Sequence, residues 1–238
     1  MKKVVWLYGG LMSQYGGYSA LKFIEKRLAS EGESVEIERV VPGESVDLSN
    51  CGLLLLPPGT ERSLLAAAEA ISGIAGEIKA YCEGGGMLLA TGNSGALLGQ
   101  RITSFDGDLV EGAGVLDITA DISPRRLYSE FIMNSDILGS DIIGAINTST
   151  VFEGGEKPLF EVCFDAAHIL SGKSEGFVKN NVFATQLIGP MLVRNPAVLD
   201  YFCARLCGHE LKGCDESWRK FSEAGYASAL ATLKKESK

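Results

Sequence analysis

Residues 84–98 read Gly84-Gly85-Gly86-Met87-Leu88-Leu89-Ala90-Thr91-Gly92-Asn93-Ser94-Gly95-Ala96-Leu97-Leu98. A glycine run ends whatever precedes it. Met87 to Thr91 then has the continuous apolar character of a strand buried on both faces. Residues 92–95 form a turn of small side chains, and a short helix starts at Ala96. A strand and a helix joined by so tight a turn have the steric signature of a nucleophile elbow, where only small residues fit beside the central one. Two registers satisfy the pattern. One centres on Gly92, flanked by Ala90 and Ser94. The other centres on Ser94, flanked by Gly92 and Ala96, and would make Ser94 a serine nucleophile. The bland alternative is a Gly/Ser turn that only leads into a helix.

Reading outward, Val4 to Tyr8 is a short apolar run closed by Gly9-Gly10, and is expected to be a buried strand. Leu21, Ile24 and Leu28 share one helical face between Tyr18 and Ser30, and Gly32 stops that helix. Val35 to Val41 mixes apolar residues with acids, as a more exposed strand does. Leu53 to Leu56 is a central strand running into Pro57-Pro58-Gly59. A helical stretch covers Glu61 to Glu83, with Gly73 and Gly76 as weak points. Strands and helices in this order predict an α/β fold of three layers, a mostly parallel sheet flanked by helices on both faces, with a flavodoxin-like arrangement. Ligands of such folds bind at the carboxyl ends of the strands. The loops at 8–17, 57–62 and 91–95 are therefore the ones to watch. Beyond Gly112, strands are expected at Ser129–Met133, Ile142–Asn147, Leu159–Val162 and Val182–Leu187, and helix from Pro196 onward. With no repeat and no linker, the 238 residues read as a single domain.

A net charge of −8 speaks against a nucleic-acid groove or an anionic membrane surface, both of which need clustered lysine and arginine. The opening Met-Lys-Lys is followed by too short an apolar run for a signal peptide. The six cysteines then read as reduced thiols of a cytoplasmic protein. Cys203, Cys207, His209 and Cys214 lie close enough in sequence for a zinc site, but no C-x-x-C pair is present and cysteines on a helix face are usually core. The expectation is no metal and no cofactor. The glycines at 9–10 and 16–17 match neither G-x-G-x-x-G nor a Walker loop. In the 57–59 loop only Gly59 keeps the N–H an oxyanion would need, because prolines have none. A Ser94 nucleophile would need a base, and the only histidines are His168 and His209. Asn93 reads either as an oxyanion donor through its backbone N–H or as a turn asparagine. Glu61 and Arg62 read as a polar pair near the pocket or as helix-start charges. The Lys234–Lys238 run reads as a solvated tail.

Taken together, the pieces resemble the class I glutamine amidotransferase-like family of the CobB/CobQ (cobyric acid synthase) type, and within it the GatD-type glutaminase subunits of lipid II isoglutaminyl synthase. The pieces are Leu7-Tyr8-Gly-Gly-Leu-Met-Ser-Gln-Tyr15-Gly16, Leu56-Pro-Pro-Gly59-Thr-Glu-Arg62, the 85–99 elbow, Gly112-Ala-Gly114-Val-Leu-Asp117, and Asn181 to Leu192 with its Ile188-Gly189-Pro190. The resemblance runs from Leu7 to about Leu233. It implies a nucleophilic cysteine at position 92, where this chain has glycine, and a catalytic histidine at position 188, where it has isoleucine. It implies glycines where Pro57 and Pro58 stand, and a glutamine and an aspartate where Thr60 and Glu61 stand. A glycine forms no thioester and an isoleucine moves no proton. Glutaminase activity is therefore expected to be absent, with Pro58, Gly59, Gly92, Asn93, Ser94 and Ile188 as a vestigial pocket. The expected role is then non-catalytic, either holding a ligand or docking as a subunit on a partner, which by the same resemblance would be an amidoligase or Mur-ligase-like synthetase.

Overall fold

The computed structural model describes residues 2–170 and 172–237. Its amino-terminal half alternates strand and helix: β1 (Lys2–Leu7), α1 (Gly17–Ser30), β2 (Val35–Val40), β3 (Cys51–Leu56), α2 (Glu61–Ile71), α3 (Ala75–Glu83) and β4 (Leu88–Thr91). A 3-10 turn at Ser72–Ile74 separates α2 from α3, so the helix expected over 61–83 is broken next to its first weak glycine, Gly73. A second 3-10 segment, Gly92–Leu98, follows β4 directly. The remainder comprises β5 (Arg101–Thr103), β6 (Leu109–Glu111), β7 (Ile118–Ser135), β8 (Gly139–Gly154), β9 (Lys157–Asp165), β10 (Ser174–Lys179), β11 (Val182–Thr185), α4 (Met191–Arg194), α5 (Pro196–Cys207) and α6 (Ser217–Glu236).

Among the described residues the strands form one eleven-stranded sheet in the order β2-β1-β3-β4-β11-β10-β9-β7-β5-β6, with β8 paired to β7. The first five strands pair in parallel. From β11 to β7 the pairing turns antiparallel. The expected α/β class holds, with helices on both faces. Side-chain alternation along β1 demonstrates the layering. Val4 and Trp6 join the core beneath α1 and α5, while Val5 and Leu7 join the core beneath α2, α3 and the 92–98 turn. Successive strand residues point to opposite faces, so a strand buried on both faces must be apolar throughout. Leu53–Leu56 is exactly such a run, at 0–3% exposure.

The carboxyl half departs more from expectation. β7 and β8 form one long hairpin whose register slips between Ile122 and Leu127, around Pro124-Arg125-Arg126. β5, β6 and β10 carry no strong apolar run, and sequence periodicity did not reveal them. The tail at 234–237 is solvent-exposed as expected and is also helical: α6 runs to Glu236, and Lys234 Nζ donates to Asp141 Oδ2 at 2.7 Å. No helix among the described residues is long and apolar enough to cross a membrane.

Candidate functional site

The carboxyl ends of β3, β4 and β11 lie side by side, because β4 pairs with β3 on one side and β11 on the other. The 57–60 loop, the 92–98 turn and the 186–190 segment leave the sheet at this edge, where open α/β sheets bind ligands. Pro58, Gly59, Gly92, Asn93, Ser94 and Ile188, the residues the resemblance singles out, meet here. Gly92 has φ +62°, the left-handed conformation a sharp elbow requires of its central residue. A Cβ on Gly92 would lie 2.5 Å from Pro58 Cβ and 3.1 Å from Ile188 Cγ2. Pro58 and Ile188 thus occupy the space into which a side chain at 92 would project. Beside these walls lies a hollow bounded also by Tyr15, Leu89, Thr91 and Pro190, of about 20 Å³, room for about one water molecule. Ile188 is itself held in place, its N–H donating to Ala145 O at 2.8 Å across to β8.

The Gly59 N–H, the expected oxyanion donor of the proline loop, is also occupied. Gly59 N–H donates to Asn93 Oδ1 at 3.0 Å, and Asn93 Nδ2 donates back to Gly59 O at 2.9 Å. Asn93 is 4% exposed and clamps the elbow to the proline loop through both ends of its amide, a role neither sequence reading anticipated. Ser94 is wholly buried. Its Oγ lies 2.8 Å from both Leu56 O and Thr91 O and accepts from Thr91 N–H at 3.1 Å, so it closes the turn as a cap. No histidine is among its partners. His168 is exposed in the turn after β9, and His209 turns its ring nitrogen to Glu210 O.

Across the mouth of this site runs a polar strap that the sequence did not announce. Arg126 donates from Nε to Asn147 Oδ1 (2.6 Å), from Nη1 to Glu61 Oε1 (3.1 Å) and from Nη2 to Tyr15 Oη (2.9 Å). Glu61 therefore pairs with Arg126 rather than with its neighbour Arg62, while Thr60 caps α2 by accepting Ser63 N–H. The pieces lie 65 and 111 residues from Arg126 in sequence, so only the tertiary fold brings them together.

The cysteines do not converge. Cys203 and Cys207 are buried in the core, and among the described residues no three His, Cys, Asp or Glu side chains come within reach of one metal ion. Burial pushes the Cys203 thiol up to about 12, which keeps it protonated and inert.

Behind the site, Glu175 on β10 is 5% exposed. Its Oε2 accepts from Thr185 Oγ1 at 2.6 Å and its Oε1 from Gln186 N–H at 2.7 Å, and Thr185 Oγ1 in turn accepts Leu187 N–H at 3.1 Å. The carboxyl thus fixes the backbone just before Ile188. Burial outweighs these donors and pushes it up to about 7. A folded-state pKa raised above that of the unfolded chain favours folding at low pH. The associated stability is complete below about pH 4.5 and is lost as pH rises to about 7, with a total on the order of 3 kcal/mol. Urea unfolding of wild type and Glu175→Gln across pH 4–8 measures it. The stability difference between the two should move with pH in that window; a constant difference would refute the shift.

Comparison with known proteins places the chain in a family. Residues 3–196 match the model of the CobB/CobQ-like glutamine amidotransferase domain. The chain is 28% identical over 203 residues to the GatD subunit of lipid II isoglutaminyl synthase (glutamine-hydrolyzing) from Staphylococcus aureus (strain N315), covering 85% of this chain and 81% of that protein. It is 25% identical over 198 residues to the same subunit from Streptococcus pneumoniae (strain ATCC BAA-255 / R6), covering 81% and 75%. A solved structure described as a glutamine amidotransferase superposes with a TM-score of 0.59 at 23% identity, covering 86% of this chain and 98% of that one, which supports the fold. With a family model matching most of its length, the chain belongs to the CobB/CobQ-like glutamine amidotransferase family.

Proposed function

We propose that this protein is a GatD-like member of its family without glutaminase activity, which serves as the non-catalytic subunit of an amidoligase, a Mur-ligase-like synthetase by analogy with its relatives. One observation carries the loss of activity: Pro58 and Ile188 fill the place of a side chain at position 92, in a chain with glycine there. A missing nucleophile alone leaves an open pocket that can still hold glutamine. Here the space for a side chain at position 92 is filled as well, and the Gly59 N–H that would face a tetrahedral oxyanion is bonded to Asn93. The subunit role is supported by the two curated relatives, both described as subunits of a synthase. The serine-hydrolase alternative has against it the enclosed, fully bonded Ser94 hydroxyl.

The test combines two readouts on the protein purified from its own cells. Incubation with an alkylating glutamine analogue should label no residue within 90–96 and release no ammonia from glutamine; stoichiometric labelling there would overturn the loss of activity. A synthetase should co-purify in equal amount. Recovery of the chain alone would overturn the subunit role.

A further inference from the structure

A second cavity opens on the other side of β11. It is a cleft of about 520 Å³ between the carboxyl end of β8, the loop residues Ile169, Leu170 and Gly172, and β10, and it shares no lining residue with the small hollow beside Pro58 and Ile188. Its size falls in the range of small-molecule sites. One wall carries Phe152 and Phe177, whose rings lie 6.2 Å apart at 50°, and Leu127 and Ile169 also line the cleft. The polar part is built differently from a surface hollow. Glu175, almost wholly buried, lines it beside Gln186, whose Nε2 donates to Thr150 O at 2.6 Å. Thr150, at 0% exposure, has an Oγ1 with no hydrogen-bond partner among the described residues. Buried hydroxyls are rarely left unpaired without a reason.

The charge balance selects the ligand. The lining contains Glu153, Glu156 and Glu175 and no lysine or arginine. Glu156 is neutralised from outside by Lys179 at 3.0 Å. Glu175 has only neutral donors around it, the Thr185 hydroxyl and the Gln186 and Gly176 N–H groups. A buried carboxylate without a counter-charge is costly, and a ligand cation would supply one. Aromatic faces beside it favour the same sign. An anionic ligand would meet carboxylates alone.

We propose that this cleft is a binding site for an organic primary amine with an apolar body, its ammonium directed to Glu175 and Thr150 and its body against Phe152 and Phe177. The site stands apart from the family's catalytic pocket and does not depend on whether glutaminase activity has been lost.

The experiment titrates the full-length protein with three probes of similar size, 2-phenylethylamine, 2-phenylethanol and phenylacetate, by isothermal calorimetry and by NMR. The amine should bind at one site and shift phenylalanine resonances. The alcohol should bind about tenfold more weakly, the scale of one charge-assisted hydrogen bond, and phenylacetate should not bind. Glu175→Gln should bring the amine down to the level of the alcohol. Ile169→Trp, at a partly exposed cleft residue, should block both ligands while leaving the circular dichroism unchanged, and it decides the location should Glu175→Gln fail to fold. No amine binding, equal binding of phenylacetate, or amine affinity unaffected by Ile169→Trp would overturn the proposal.

Discussion

Replacing Gly92 by cysteine is expected to destabilise the fold by about 2–5 kcal/mol and to restore no glutamine hydrolysis, even with Ile188→His in the same chain. Two costs add. The backbone at 92 sits at φ +62°, where a side chain costs about 1–2 kcal/mol. The new Cβ would also stand 2.5 Å from Pro58 Cβ, and overpacking of a close-packed interior costs about 1–3 kcal/mol. Pro58→Gly added to the pair should recover part of the loss. It removes the atom in the way but frees the unfolded chain, at a cost of roughly 0.4–1 kcal/mol. Urea unfolding and an ammonia-release assay on the single, double and triple variants check the series. A double variant as stable as wild type that hydrolyses glutamine would show that the pocket is not sealed.

Arg27→Ala is expected to cost about 3 kcal/mol, because it breaks a buried ion pair by removing one side of it. Arg27 lies on α1 at 2% exposure. Its guanidinium donates to Asp200 Oδ1 on α5, Ser30 Oγ, Glu31 Oε1 and Lys212 O, each at 2.7–2.8 Å. Asp200 keeps two bonds from Arg219 of α6, so it is not orphaned. Glu31 fares worse: its Oε2 has no partner among the described residues, and Oε1 would keep only Lys212 N–H at 2.9 Å. Arg27→Lys should recover part of the loss, since an ammonium keeps the charge but cannot fork to several acceptors. Chemical denaturation of the three proteins measures the effect. A cost for Arg27→Ala below about 1 kcal/mol would place this cluster with surface pairs.

The parallel half of the sheet was legible because of where it lies. Strands covered on both faces must be apolar at every position, so Val4–Leu7, Leu53–Leu56 and Leu88–Ala90 stand out as runs. The long β7–β8 hairpin was legible only in its apolar centre. Its ends alternate polar residues with Pro124, Arg125 and Arg126 near the register slip, and periodicity fails where a strand is half exposed and bulged. β10 reads as a polar stretch, and nothing local marks Glu175 as buried. Cys203 and Cys207 illustrate the reverse: their spacing permits a metal site, and packing assigns them to the core.

The sequence by itself determined what two positions cannot do. A glycine at 92 has no nucleophile and an isoleucine at 188 has no proton to give, whatever surrounds them. The tertiary structure decided what stands around them. Pro58 and Ile188 come from loops 130 residues apart in the chain, and they close on Gly92 because β3, β4 and β11 are neighbours in the sheet. Asn93 reaches the Gly59 N–H, Arg126 spans Tyr15 and Glu61, and Glu175 loses its water for the same reason. Volume, hydrogen-bond partners and dielectric surroundings depend on residues that meet only when the sheet is assembled.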